Sequence, residues 1–106
     1  MDMKDFIDFQ GASGVRYRFR IWAEGAAHLP VAGNYVYVRQ EDEGYAVLTV
    51  GQTNDLSKAM AEWPKAVRRG ATHVFTRLNV ARAVRIAEHE DIAAHYKAAR
   101  VSEAVD

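Results

Sequence analysis

The stretch GNYVYVRQEDEGYAVLTVGQTNDL, residues 33–56, decides the fold. Residues 34–39 and 45–50 are rich in Val and Tyr and are joined by the charged segment QEDEG, the pattern of two strands in a hairpin. A loop centred on Asp42 places Arg39 opposite Tyr45 and Tyr35 opposite Thr49. Directly opposed residues share a face, with Cβ atoms about 5 Å apart. After Gly51 the run TNDLSKAMAEW reads as a helix, with Thr53 or Asn54 as its N-cap. Pro64 cannot sit comfortably inside that helix, so it kinks it or opens a new turn over residues 64–69, and Gly70 is the expected stop.

Working outward, FIDF (residues 6–9) is a candidate short strand closed by the turn chemistry of GASG. VRYRFRIW, residues 15–22, alternates strictly: Val15, Tyr17, Phe19 and Ile21 on one face, Arg16, Arg18 and Arg20 on the other. That period of two predicts a strand. AEGAAHLPVAG is a loop punctuated by Gly25, Pro30 and Gly33. Downstream, THVFTRL predicts a strand, and Asn79 is placed to cap a final helix running to about Tyr96. The expected architecture is a single α+β domain over residues 1–106. Its small antiparallel sheet has a three-stranded core plus an N-terminal strand or hairpin, flanked by helices.

Composition narrows the functional classes. Fourteen basic residues balance 14 acidic ones, so no global field draws the chain onto nucleic acid, and any such binding needs a local patch. With no cysteine there is neither a disulfide nor a thiolate zinc site. No apolar run reaches the ~20 residues that span a bilayer, so no membrane role is expected. MDMKDFIDFQ lacks the basic and apolar regions of a secretory leader, so a cytoplasmic location is expected.

GNY at 33–35, TVGQTNDL at 49–56 and the helix RIAEHEDIAAHY at 85–96 together resemble the GIY-YIG endonuclease superfamily. The segment WPKAVRRGATHV also resembles small bacterial proteins of that superfamily. The resemblance spans residue 33 to about residue 98. It implies a three-stranded antiparallel sheet flanked by helices, and metal-dependent cleavage of DNA phosphodiesters. It further implies a tyrosine in each of the first two motifs, an arginine in the following helix and a metal-binding glutamate in the last helix.

Carried over position by position, the first tyrosine is Tyr35, while the second motif reads Thr49-Val50-Gly51 and lacks its tyrosine. The family arginine falls on Ala59, which supplies neither charge nor hydrogen bond to a phosphate. Lys58 is one position away, about 100° around the helix. The glutamate aligns with Glu88 when Ile92 anchors the comparison, and with His89 when Tyr96 does. A helical projection centred on Val84 puts Val80, Ala87, Glu88, Asp91 and Ile92 on the buried face and favours Glu88.

Each candidate has an ordinary alternative. Tyr35 can be a packed strand tyrosine, since a phenol of pKa ~10 acts as a base only beside a metal or cation. Glu88 and Asp91 can hold Mg²⁺ as a carboxylate pair, or Glu88 can pair with Arg85 or a strand arginine. Arg16, Arg18 and Arg20 read as the solvated face of an edge strand in preference to a phosphate rail. His28, His73, His89 and His95 have no zinc spacing, and Trp22 and Trp63 read as core or core-edge aromatics. Lys58, Lys65 and Arg69, spaced seven and four apart, are the expected nucleic-acid-binding patch if the helix is continuous. The expectation is therefore a GIY-YIG-like domain with a degenerate site, binding nucleic acid such as DNA without cleaving it. An endonuclease using Tyr35 and Glu88 with Mg²⁺ or Mn²⁺ is the second reading, and a protein-interaction or structural module the third.

Overall fold

Why these residues form these elements follows from alternation, capping and one close backbone contact. The computed structural model describes residues 5–23, 27–97 and 100–102; Gly25 of the expected loop lies outside them. In chain order the elements are β1 (Phe6–Gln10), β2 (Arg16–Ile21), β3 (Gly33–Glu41), β4 (Gly44–Thr53), α1 (Leu56–Met60), α2 (Trp63–Arg68), β5 (His73–Leu78), α3 (Arg82–His95) and β6 (Arg100–Ser102). They build one sheet in the order β1-β2-β5-β3-β4-β6. The first five strands are antiparallel to their neighbours, and β6 runs parallel to β4. The expected three-stranded core is corrected: β5, β3 and β4 lie inside a continuous sheet that the β1–β2 hairpin extends by pairing Arg20 with Thr76 and Ile21 with Phe75. β6 has no counterpart in the expected elements, because only its partner β4, about fifty residues earlier, makes it a strand.

The two faces of the sheet carry separate apolar layers. Val36, Val38, Val50 and Phe75 face α3 and pack with Phe9, Phe19 and Ile92. On the other face Tyr35, Tyr37 and Val74 pack with Leu56, Met60 and Trp63 from α1 and α2. Strand β3 is thus covered on both sides, and its residues 33–38 are all buried. Full burial of one such apolar side chain is worth about 1.5–3 kcal/mol, so this strand is a large share of the folding energy.

The helix between β4 and β5 is broken as Pro64 predicts. Asp55, not Thr53 or Asn54, caps α1: its Oδ1 accepts from the Ser57 backbone N–H at 3.0 Å. Thr53 instead ends β4, and its Oγ1 accepts from the Asp55 N–H at 3.0 Å. Pro64 lies in the first turn of α2, where its missing N–H costs no helical hydrogen bond. Gly70 follows with φ +102°, a conformation that suits glycine and ends the helix. Asn79 does not cap α3, which starts after Ala81 without a side-chain cap.

The hairpin register also departs from expectation. A two-residue turn, Asp42–Glu43, leaves Glu41 paired with Gly44, so Gln40 rather than Arg39 faces Tyr45. Leu48 is then an extra residue on β4, and beyond this bulge Tyr37 faces Thr49 and Tyr35 faces Gly51. Turn and bulge each shift the register by one. The two shifts restore the parity, so Tyr35 and Thr49 still share a face although they are not directly opposed. The Tyr35 ring lies against Gly51, where an added Cβ would overlap its Cζ. We expect Gly51→Ala to lower the unfolding free energy by about 1–3 kcal/mol in chemical denaturation, through overpacking. An unchanged denaturation midpoint would show that the Tyr35 ring moves aside freely.

Candidate nucleic-acid interface

The strand registers place one row of residues straight across the sheet on the Tyr35 face. Gly51, Tyr35, Thr76, Arg20 and Phe6 are successive partners on β4, β3, β5, β2 and β1. Arg18, two residues from Arg20, belongs to the same face. β2 lies between β1 and β5, but β5 pairs only with Arg20 and Ile21. The edge-strand reading is therefore corrected for Arg20, while Arg16 and Arg18 stand exposed on a stretch that β5 does not pair. The face that carries these side chains is left uncovered by α1 and α2.

That open region is concave. Phe6, Arg18, Arg20, Trp22, His28 and Thr76 contribute to the lining of a cavity of 610 Å³. The Arg18 and Arg20 guanidinium carbons lie 5.8 and 5.9 Å from the Phe6 ring centroid, one ring serving both cations. Asp8, opposite Arg18, approaches its Nε at 3.5 Å, an exposed pair of small energetic value. His28 is fixed by two contacts, Nδ1 to the Leu29 carbonyl at 2.9 Å and Nε2 to Thr76 Oγ1 at 3.1 Å. A carbonyl only accepts, so Nδ1 carries the proton there. Two arginines, an aromatic ring and an oriented imidazole together suit a phosphate-bearing, base-bearing ligand.

The helix patch is partly assembled. Lys58, Lys65 and Arg69 are all exposed. The break between α1 and α2 removes the continuous helix that the seven-residue spacing assumed, so Lys58 is no longer tied to the side of Lys65 and Arg69. Lys65 also stands 4.0 Å from the Glu62 carboxylate, which offsets part of its charge. Ala59, at the family arginine position, is fully buried, and the Tyr37 hydroxyl donates to its carbonyl at 2.9 Å. Burial holds the Tyr37 phenol well above the ordinary tyrosine range, so it serves as a donor and not as a base.

The expected pair of catalytic residues is not brought together. Tyr35 is 2% exposed on the α1/α2 face, whereas α3 packs on the opposite face of the sheet. The projection centred on Val84 is also corrected: Val84 is 48% exposed, and the buried residues of α3 are Arg85, His89 and Ile92. His89, not Glu88, is the inward residue of that pair. The reason is polar. Gln52 and Asn34 occupy the part of the sheet beneath the start of α3, and they select polar partners over Val84. Arg85 Nε donates to Gln52 Oε1 at 2.9 Å, and Asn34 Nδ2 donates to the Arg85 carbonyl at 3.1 Å.

Glu88 sits at the flank of this network. Its Oε1 accepts from Arg77 Nε at 2.9 Å and from Asn79 Nδ2 at 2.8 Å, and its side chain is 16% exposed. The ordinary alternative of a strand-arginine ion pair therefore describes it. Glu88 Oε1 already accepts two hydrogen bonds and the Arg77 cation stands beside it, an arrangement that disfavours a divalent metal at this carboxylate. Among the described residues no group of three or more His, Asp or Glu could hold an ion. Asp91 is committed elsewhere: it accepts from the Ser13 backbone N–H and hydroxyl and from the Tyr17 hydroxyl, tying the β1–β2 turn to α3.

Those hydrogen bonds, Ser13's hydroxyl first and then Tyr17's, hold the Asp91 carboxyl below its ordinary 3.8. A depressed carboxyl stabilises the fold above the unfolded-state value, and that contribution is lost as pH falls through the lower folded value. We expect Asp91→Asn to weaken the acid dependence of stability below about pH 4 and to leave its slope near neutrality unchanged, as read by unfolding at a series of pH values. An identical acid limb in the variant would remove Asp91 as a source of it.

Sequence could not single out Phe6, His28 and Thr76, which meet only through strand order; the alternation of arginines in β2 was the available signal. Among the described residues no helix is long and apolar enough to cross a membrane. Comparison with protein-family models, with curated proteins and with solved structures finds no match to this chain.

Proposed function

We propose that this is a GIY-YIG-like domain that binds nucleic acid without cleaving it. The observation that carries the reading is the open cavity on the Tyr35 face of the sheet, where the Arg18 and Arg20 guanidiniums both lie over the Phe6 ring and His28 is held in place. Guanidiniums recognise phosphates through paired donors, and the shared ring holds these two close together. Chain order supports the likeness: a hairpin with Tyr35 against Gly51, a helical segment, a strand beside β3 and a closing helix. The exposed Lys58, Lys65 and Arg69 extend the basic surface on the helices that cover the same face.

The endonuclease reading with Tyr35 and Glu88 is weaker. It needs both groups at one phosphodiester, and they stand on opposite sides of the sheet. Thr49 and Ala59 also lack the phenol and the cation that the resemblance calls for, each on the order of several kcal/mol of transition-state stabilisation.

Binding should therefore be visible at about 50 mM salt, with no Mg²⁺- or Mn²⁺-dependent nicking above a Glu88→Ala control. Charge reversal at Arg18 and Arg20 should weaken duplex binding at least tenfold and flatten the salt dependence by up to about 2 units. Reversal at Lys58, Lys65 and Arg69 should have a smaller effect. The opposite ranking in folded variants would move the interface to the helices. No binding at low salt would favour a protein-interaction module, and Glu88-dependent turnover would restore the enzyme.

A further inference from the structure

Beyond the arginine cavity the same face holds a second one of 440 Å³, lined by Trp22, His28, Ser57, Met60, Trp63 and Pro64. The two cavities share Trp22, Ala27 and His28. Its volume lies within the ordinary range of small-ligand sites. Both tryptophans of the chain line it, and Trp63 is itself 8% exposed. Among the described residues the indole Nε1 atoms of Trp22 and Trp63 are shielded from solvent and have no hydrogen-bond partner, so the hollow offers a ligand ring surface and not these N–H groups.

Charge indicates what fills it. Arg18 and Arg20 stand at the adjoining cavity, and Lys58 and Lys65 follow Ser57 and Pro64 directly in the chain. The hollow therefore adjoins the positive charge of Arg18 and Arg20. A ligand matching both features has negative charges along a chain and a planar group beside them.

We propose that this hollow takes one unstacked base of a single-stranded nucleic acid. The base stacks on the Trp22–Trp63 wall while its backbone lies along Arg18 and Arg20 at the adjoining cavity. The assignment rests on the nucleic-acid reading above and names the strand form that the site selects. Paired bases within a duplex are stacked on their neighbours and cannot enter the hollow without being extruded.

Because Trp22 and Trp63 are the only tryptophans, intrinsic fluorescence reports on the hollow directly. The full chain would be titrated at low salt with oligothymidylate, with an abasic oligonucleotide of the same length and charge, and with a duplex. Oligothymidylate should quench the fluorescence and bind about tenfold more tightly than the abasic chain, the order expected of one stacked base. The duplex should bind with little quenching. Trp22→Phe, at the half-buried ring, keeps an aromatic wall and should reduce the preference for thymidylate over the abasic chain only in part; Trp22→Ala should abolish it, provided circular dichroism shows a folded protein. Equal affinity for the abasic and thymidylate chains, or binding without quenching, would overturn the base site while leaving the nucleic-acid reading intact. Absence of binding by all three probes would overturn both.

Discussion

The contact between the Tyr35 ring and the Gly51 backbone is the constraint on which the rest depends. It holds only if β3 and β4 pair in one register, because any Cβ at position 51 would overlap the ring. That register sends Val36 and Val38 to one side of the sheet and Tyr35 and Tyr37 to the other. The first pair receives α3 and the second receives α1 and α2. A slip of one residue would exchange the two layers, placing tyrosine hydroxyls under α3 and valines under Trp63. The bulge at Leu48 keeps the turn and this contact compatible.

On the α3 side, packing is divided between apolar and polar ends. Ile92, in the C-terminal half of the helix, meets Val36, Val38, Val50 and Phe75. Nearer its start, Arg85 and Glu88 engage Gln52, Asn34, Asn79 and Arg77 in one hydrogen-bonded network. Asn79 joins its two halves, donating to both Asn34 Oδ1 and Glu88 Oε1. Such a network fixes the rotation of a helix more sharply than apolar contact does, because each missed partner leaves a buried polar group unsatisfied. The same network engages Glu88 Oε1 and sets the Arg77 cation beside it.

On the opposite side the cover is incomplete. α1 and α2 are short and lie over Tyr35, Tyr37 and Val74, leaving the β1–β2–β5 portion to Trp22, His28 and the arginines. With a balanced total charge, recognition of a polyanion depends on where cations are gathered. This face gathers Arg18 and Arg20 around an aromatic ring and places tryptophans beside them. The residues that the proposed likeness would assign to catalysis are core or network residues: Ala59 packs, Tyr35 is covered, and Glu88 is ion-paired.

Local chemistry accounts for what the sequence by itself determined. Alternation marked β2, the Tyr- and Val-rich hairpin marked β3 and β4, Pro64 divided the helices, and Gly70 ended the second of them. These signals act within a few residues and need no distant partner. Three matters were decided only in the tertiary structure. β2 became interior at Arg20 and Ile21 because β5, more than fifty residues later, pairs with it there. The buried face of α3 turned from Val84 to Arg85 and His89 because Gln52 and Asn34 select hydrogen-bonding partners, which hydrophobic periodicity does not register. The residue that faces Tyr35 became Gly51 instead of Thr49 through a two-residue turn and a one-residue bulge. A side chain's direction along a strand alternates with every residue, so small changes in connection decide which groups can meet.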